Sequence, residues 1–405
     1  MEQVVRPRRA LGATGKIVNF HRIGTNELTL LQNGVAYFPQ LISDIDAAQR
    51  AVYLETYIFA ADATGRSIAQ ALMRAAARGL EVRLLLDGFG SSELPGAFVE
   101  EMRATGVEVQ WFRRERSAFS LRRHRLRRMH RKIAVLDGGI AFIGGINIID
   151  DIPAELAVDV PRLDFAVRVT GTLVDSVQAA MQRQWEMVSW AAFRKHVKTG
   201  NWRLPHVESD PDAAVQLLLR DNVRHRRDIE RAYLRAIAGA RREVIIANAY
   251  FLPGRLFRRA LKQAVRRGVR VVLLLQGKVE YRLQHYATLA LYGRLLEAGV
   301  EIHEYHASFL HAKVAVVDGE WATVGSFNID PFSLLLAREA NLVVRDRGFA
   351  EQLRDTLLDS ISRDGRRVEL ARSNWFTRLR ARISYGLIRF VLGLTGVSKM
   401  HYPPN

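Results

Sequence analysis

Four segments of this chain recur, in the same order, in its second half. VYLETYIF (52–59) matches VIIANAYF (244–251), and ARGLEVRLLLDG (77–88) matches RRGVRVVLLLQG (266–277). ATGVEVQWF (104–112) matches EAGVEIHEY (297–305), and HRKIAVLDGGIAFIGGIN (130–147) matches HAKVAVVDGEWATVGSFN (311–328). Ordered repetition of this kind requires a duplicated structural unit, with each copy folding the same way.

The unit is α/β in character. Phe38 to Arg50, Ser67 to Ala77 and Pro95 to Thr105 have helical apolar spacing or helix-ending glycines, while Val52 to Phe59, Val82 to Leu86 and Val107 to Phe112 are apolar strand-like runs. Strands alternating with helices predict a mixed, mainly parallel sheet flanked by helices, once per half. Two such units would face each other across one active site. Thr172 to Trp190 is predicted to be a packing helix with Phe349 to Ile361 as its counterpart. The boundaries follow: a basic, irregular lead-in over 1–30, a first domain over 31–200, a Pro- and Asp-rich linker over 201–213, a second domain over 214–365 and a tail over 366–405.

Composition narrows the partners. A net charge of +18 over 405 residues points to a polyanion, either nucleic acid or an anionic membrane. With no cysteine, disulfide and thiolate chemistry are excluded. The longest apolar run, Ile383 to Val397, is interrupted by Arg389 and falls short of the ~20 residues a spanning helix needs. No signal peptide is visible, so a peripheral protein is expected.

The repeated fourth segment carries the chemistry. His130 and Lys132, and again His311 and Lys313, are two residues apart and share one face of a strand. An anionic phosphodiester needs cations as charge builds on its oxygens, a role that suits both lysines, and Asn147 and Asn328 can add neutral hydrogen bonds. Ser326, beside Asn328, is placed with them as a phosphate ligand. One neutral imidazole can attack phosphorus while the other passes protons to and from the exchanging oxygens. Asp137 and Asp318 complete the candidate catalytic motif from the far end of each strand, where a structural or indirect role is expected. A lysine two residues from each histidine disfavours a metal, so a mechanism without metal or cofactor is predicted.

H-x-K-x-x-x-x-D followed by G-[GS]-x-N, present twice, resembles the phospholipase D superfamily over roughly residues 35 to 360. The resemblance implies an acid beyond each asparagine that orients a histidine. Glu339 fills this place in the second repeat and Asp164 in the first, the latter departing from the pattern by its shorter side chain and later position.

Two features favour lipid over nucleic acid. Arg113 to Lys132 is rich in arginine, including Arg122, Arg123 and Arg127, and runs directly into the first motif. In the tail Trp375, Leu379, Ile383, Leu387, Phe390 and Leu394 form one helical stripe, with Phe376 nearby and arginines on another face, as in an interfacial helix. With LETYIF and VGSFNIDPFS, these features resemble the bacterial cardiolipin synthases of the phospholipase D type. That implies phosphatidyl transfer between two phosphatidylglycerols at the cytoplasmic face of the membrane, with no obligatory nucleic acid or protein partner. Hydrolysis of phospholipid or nucleic acid is the alternative activity, and a non-catalytic membrane-binding protein is the alternative class.

Overall fold

The duplicated segments build two sheets that share a core. The computed structural model describes residues 9–11, 17–113, 127–152, 159–191, 213–221, 225–279, 282–331, 333 and 337–369. The first half begins with β1 (Arg9–Leu11), β2 (Ile17–Ile23), β3 (Asn26–Gln32), α1 (Asn33–Ala47), β4 (Ala51–Thr56), α2 (Ala63–Ala77) and β5 (Glu81–Asp87). It continues with α3 (Gly96–Ala104), β6 (Glu108–Phe112), β7 (Arg128–Met129), β8 (Lys132–Leu136), β9 (Ile140–Gly144), β10 (Phe165–Thr170) and α4 (Leu173–Ala191). The second half starts with β11 (Val215–Arg220), α5 (Asp228–Gly239), β12 (Glu243–Asn248), α6 (Arg255–Arg266), β13 (Arg270–Gln276) and α7 (Arg282–Leu296). β14 (Glu301–Tyr305), β15 (Lys313–Val317), β16 (Trp321–Gly325), β17 (Ala337–Val344), α8 (Arg347–Asp364) and β18 (Gly365–Arg367) complete it.

The sheet orders are β1-β2-β3-β10-β9-β8-β4-β5-β6 and β11-β17-β16-β15-β12-β13-β14-β18. Strand alternation divides the apolar side chains between cores. Ile133 and Val135 of β8, with Val314 and Val316 of β15, point into a central core that also takes Val177 and Met181 of α4 and Leu353 and Leu357 of α8. Ala134 and Leu136 face α1, α2 and α3 instead, and Ala315 and Val317 face α5, α6 and α7. Each sheet is thus covered on one side by helices and on the other by the shared core.

The sheets are mixed, but antiparallel pairing predominates. Among the main ladders, parallel pairing is confined to β4-β5-β6 and β12-β13-β14, the strands joined by helical crossovers. The motif strands are joined by tight turns instead, and a tight turn can connect only antiparallel neighbours. The N-terminal segment also departs from expectation. Part of the predicted irregular lead-in is β2 and β3, a hairpin turning at Gly24 (φ +59°) whose second strand pairs with β10. α1 starts at Asn33, earlier than its apolar spacing indicates, because Asn33 is tied by its backbone N–H to the Asp164 carbonyl at 2.8 Å.

Candidate active site

The HKD spacing has a structural cause. Asp137 and Gly138 have positive φ (+52° and +66°), and the Gly139 N–H closes a turn onto the Leu136 carbonyl at 3.0 Å. Asp318 and Gly319 repeat this at +55° and +68°. Positive φ at both central positions is the pattern of hairpin turns that match strand twist, and Asp-Gly supplies it. Each aspartate therefore sits at the turn, a full strand away from its histidine.

There the carboxylates brace backbone. Asp137 accepts the N–H groups of Gln49, Arg50 and Ala51 at 2.7–2.9 Å, and Asp318 those of Arg241, Arg242 and Glu243 at 2.8–2.9 Å. Burial opposes their charge, but these N–H groups outweigh it and hold both carboxyls below their ordinary value. The two aspartates thus belong outside the catalytic set: they join the turn to the start of β4 or β12. Asp137→Asn or Asp318→Asn should lower the melting temperature by several degrees, most of all near neutral pH, where the carboxylate is charged. Turnover by the protein that stays folded should be little changed; a large loss of kcat without loss of stability would contradict this role.

At the other end of these strands the halves interlock. β7 leaves its own sheet to pair with β17, and the His130 N–H donates to the Arg338 carbonyl at 2.9 Å. Reciprocally, Leu163 bridges Leu310, and the His311 N–H donates to the Leu163 carbonyl at 2.9 Å. Each histidine is therefore anchored beside the acid of the opposite repeat. His130 Nδ1 lies 3.0 Å from Glu339 Oε2, and His311 Nδ1 lies 2.6 Å from Asp164 Oδ2. The shorter Asp164 side chain is accommodated by Gly145, where a Cβ would collide with its carboxylate.

Ser326 does not serve as a phosphate ligand in this arrangement. Its hydroxyl donates to Glu339 Oε2 at 2.6 Å and accepts the Ala340 N–H at 3.0 Å, so it is committed to holding the acid in place. The two asparagines are disposed differently. Asn147 accepts the Ile58 N–H through its Oδ1 at 3.3 Å, which leaves its NH2 to donate. Asn328 is buried with its amide oxygen unpartnered among the described residues. Asn248 fixes the backbone on both sides of it, through the Phe327 carbonyl at 3.4 Å and the Ile329 N–H at 3.1 Å.

The lysines are buried almost completely, with 3 % of Lys132 and none of Lys313 exposed. Lys132 Nζ donates to the His130 carbonyl at 2.7 Å, and Lys313 Nζ donates to the His311 carbonyl. Burial, followed by repulsion from Lys313, drives the Lys132 ammonium well below its ordinary pKa. Burial also lowers both imidazoles: His311, with Lys313 beside it, falls to about 3, whereas the Glu339 charge partly offsets burial at His130. Lys132 and Lys313 repel each other here, and the Glu339 and Asp164 carboxylates compensate them in part, Asp164 lying 3.7 Å from Lys313 Nζ.

Sequence reasoning missed several residues here. β4 stops at Thr56, so Tyr57 turns away from the strand to meet His130 edge-on, 4.8 Å between centroids, with Lys132 Nζ 5.2 Å from its ring. Arg220 is buried opposite Glu339 in the β11–β17 register. A buried ion pair, Arg131 to Glu55 at 2.7 Å, lies behind His130 only; the corresponding residues of the second repeat are Ala312 and Ala247. Of the proposed membrane-binding residues only Arg127 falls among those described. Arg122, Arg123, Trp375, Phe376 and Phe390 lie outside them.

One centre, completed by a histidine, a lysine and an acid from each half, defines a two-motif phosphodiester-processing protein of the phospholipase D class. Residues 41–151 and 233–360 match the family described as "Cardiolipin synthase, PLD-like domain". The chain is 39 % identical to cardiolipin synthase B of Escherichia coli K12 over 93 % of its own length and 91 % of that protein's. It is 33 % identical to a cardiolipin synthase of Geobacillus kaustophilus over 79 % of its length and 64 % of that protein's. In fold it is similar to the crystal structure of phosphatidylserine synthase from Haemophilus influenzae Rd KW20, with a TM-score of 0.68 at 14 % identity, covering 92 % of this chain and 95 % of that one. The chain belongs to the cardiolipin synthase family of PLD-like proteins.

Proposed function

We propose that this chain is a cardiolipin synthase that transfers a phosphatidyl group from one phosphatidylglycerol to a hydroxyl of a second. The observation that carries the reading is the crossed pairing of His130 with Glu339 and His311 with Asp164. It gives a two-step displacement both of its histidines.

His130 suits the nucleophile. Its Nδ1 faces two acceptors, Glu339 Oε2 and the Ser326 carbonyl, each at 3.0 Å, so Nδ1 carries the proton and Nε2 keeps its lone pair. At His311 the same nitrogen is shared between Asp164 and the Lys313 ammonium at 2.8 Å, which leaves its tautomer less constrained. Nε2 of His130 attacks phosphorus and the bond to the glycerol oxygen breaks, with His311 giving that oxygen its proton. The hydroxyl of the second phosphatidylglycerol then attacks the phosphohistidine, His311 takes its proton, and the phosphorus–nitrogen bond breaks. The substrate's own negative charge favours a proton on His311 that the empty centre disfavours. Lys132, Lys313 and the asparagines neutralise the equatorial oxygens as charge develops.

The partners that follow are phosphatidylglycerol and an anionic bilayer, with the protein peripheral at the cytoplasmic face. Among the described residues no helix is long and apolar enough to cross a membrane. Incubation of the purified chain with phosphatidylglycerol vesicles is expected to yield cardiolipin and glycerol in equal amounts. Phosphatidic acid as the sole product would assign hydrolysis instead, and DNA cleavage without lipid turnover would remove the lipid reading.

A further inference from the structure

Seven large apolar side chains stand exposed among the described residues, and six of them lie close along the chain to residues bonded beside the candidate site. Val35 opens α1, two residues beyond Asn33, whose backbone is bonded to Asp164. Phe89 follows Asp87, whose carboxylate accepts the N–H of Met129, the neighbour of His130, at 2.7 Å. Ile152 and Val160 flank the contact of the Arg162 N–H with the Asp151 carbonyl, just before Asp164. Leu256 lies just beyond Leu252, whose N–H donates to the carbonyl of Ile329, next to Asn328. Val279 follows Gln276, whose amide oxygen accepts the Leu310 N–H, beside His311, at 2.9 Å. The seventh, Trp190, closes α4 next to residues outside the described set.

These six are 40–65 % exposed and come from both halves, in the connections and first helical turns next to the motif strands. None is needed by the chemistry, and an aqueous surface gains nothing from them. Cations accompany three of them. Arg128 stacks on the Phe89 ring at 4.1 Å, Arg255 precedes Leu256, and Lys278 precedes Val279. Two of the neighbouring carboxylates are engaged inward, Asp150 with the Thr64 N–H in the first turn of α2 and Asp151 with the Gly34 N–H in the first turn of α1, whereas Asp159 and Glu93 stand exposed.

We propose that these residues form the membrane-docking face: Val35, Phe89, Ile152, Val160, Leu256 and Val279 enter an anionic bilayer around the site mouth, with Arg128, Arg255 and Lys278 at its phosphates. The inference rests on the lipid-transfer reading. It adds an orientation in which both halves lie on the membrane and both lipids enter from one leaflet. Apolar insertion with flanking cations is the physical basis of interfacial binding, and long cationic side chains can reach up to the headgroups.

The absence of cysteine permits a direct test. Single substitutions Val35→Cys, Leu256→Cys and Val279→Cys, each labelled with an environment-sensitive fluorophore, are mixed with phosphatidylglycerol vesicles. Glu320→Cys, beside the Asp318 turn at the opposite end, serves as the comparison. The labels at 35, 256 and 279 should brighten and shift to the blue several-fold more than the label at 320, and less so with zwitterionic vesicles. Co-sedimentation without a change at these three positions would overturn the docking face, as would absence of vesicle binding or an equal response at 320. Cardiolipin formation is followed on the same vesicles. Insertion without lipid turnover would refute the catalytic reading and leave the docking face standing, while turnover without insertion would do the reverse.

Discussion

Substituting His311 with alanine is expected to abolish turnover of phosphatidylglycerol, by at least ~10³-fold, yet to spare attack on a substrate whose leaving group needs no proton. A phosphatidyl ester of p-nitrophenol is such a substrate, since nitrophenolate departs as an anion. The H311A protein should therefore release a burst of nitrophenolate, about one per site, and retain the phosphatidyl group on His130. The second step would then stall, because no base deprotonates the acceptor hydroxyl. The H130A protein should give neither burst nor adduct, having lost the nucleophile itself. The asymmetry follows from the surroundings of the two rings: two acceptors fix the Nδ1 proton of His130, whereas Lys313 crowds the corresponding nitrogen of His311. A burst from H130A with the adduct on His311 would reverse the roles, and no burst from either would remove the covalent step. Mass spectrometry of the acid-quenched protein under conditions that preserve phosphoramidates reads the outcome.

The parts of the candidate site are only partly visible in sequence. The two H-x-K strands stand out because duplication prints them twice, and the Asp-Gly after each strand is legible as a turn. The crossed pairing is not, because sequence order associates Glu339 with the histidine of its own repeat. Only the interlocking of β7 with β17, and of Leu163 with Leu310, brings each acid to the other histidine. In sequence Ser326 reads as a phosphate ligand alongside Asn328. What decides its role is the return of the chain in β17, which puts Glu339 against its hydroxyl. Tyr57 and Asn248 read as members of apolar strand runs, and nothing local reveals that one strand ends in time for its tyrosine to reach His130. The same limitation explains the N-terminal hairpin: Phe20 to Ile23 alternates weakly, with His21 and Arg22 between its apolar residues, and β3, which ties the hairpin to the sheet, finds its other partner more than a hundred residues away in β10. Helices and crossover strands, whose signals are local, were the readily legible part of the fold.

The largest divergence between stability and function should appear at Lys132. Replacing it with methionine is expected to lower the transfer rate by about 10²–10³, the usual consequence of removing one group that stabilises developing charge. The same substitution should leave the melting temperature unchanged or raise it. Lys132 is held in a site that strips water from its ammonium and sets Lys313 against it, and both effects act against folding. Methionine has similar length and no charge to desolvate. It forfeits the hydrogen bond to the His130 carbonyl, worth about 1 kcal/mol, which is smaller than the usual cost of burying an ammonium whose desolvation and repulsion by Lys313 the charges of Glu339, Asp164 and Asp87 offset only in part. The pH dependence has a definite sign. A lysine whose folded pKa is depressed binds its proton more weakly when folded, so wild-type stability rises as pH increases from the folded toward the unfolded value. The methionine variant lacks that rise, and its thermal advantage should be largest at the low-pH side of this window and shrink toward the ordinary lysine pKa. Parallel losses of activity and melting temperature would show that Lys132 supports the fold. Opposite changes would show that the protein holds an unfavourable charge in place because a phosphodiester, once bound, makes it favourable.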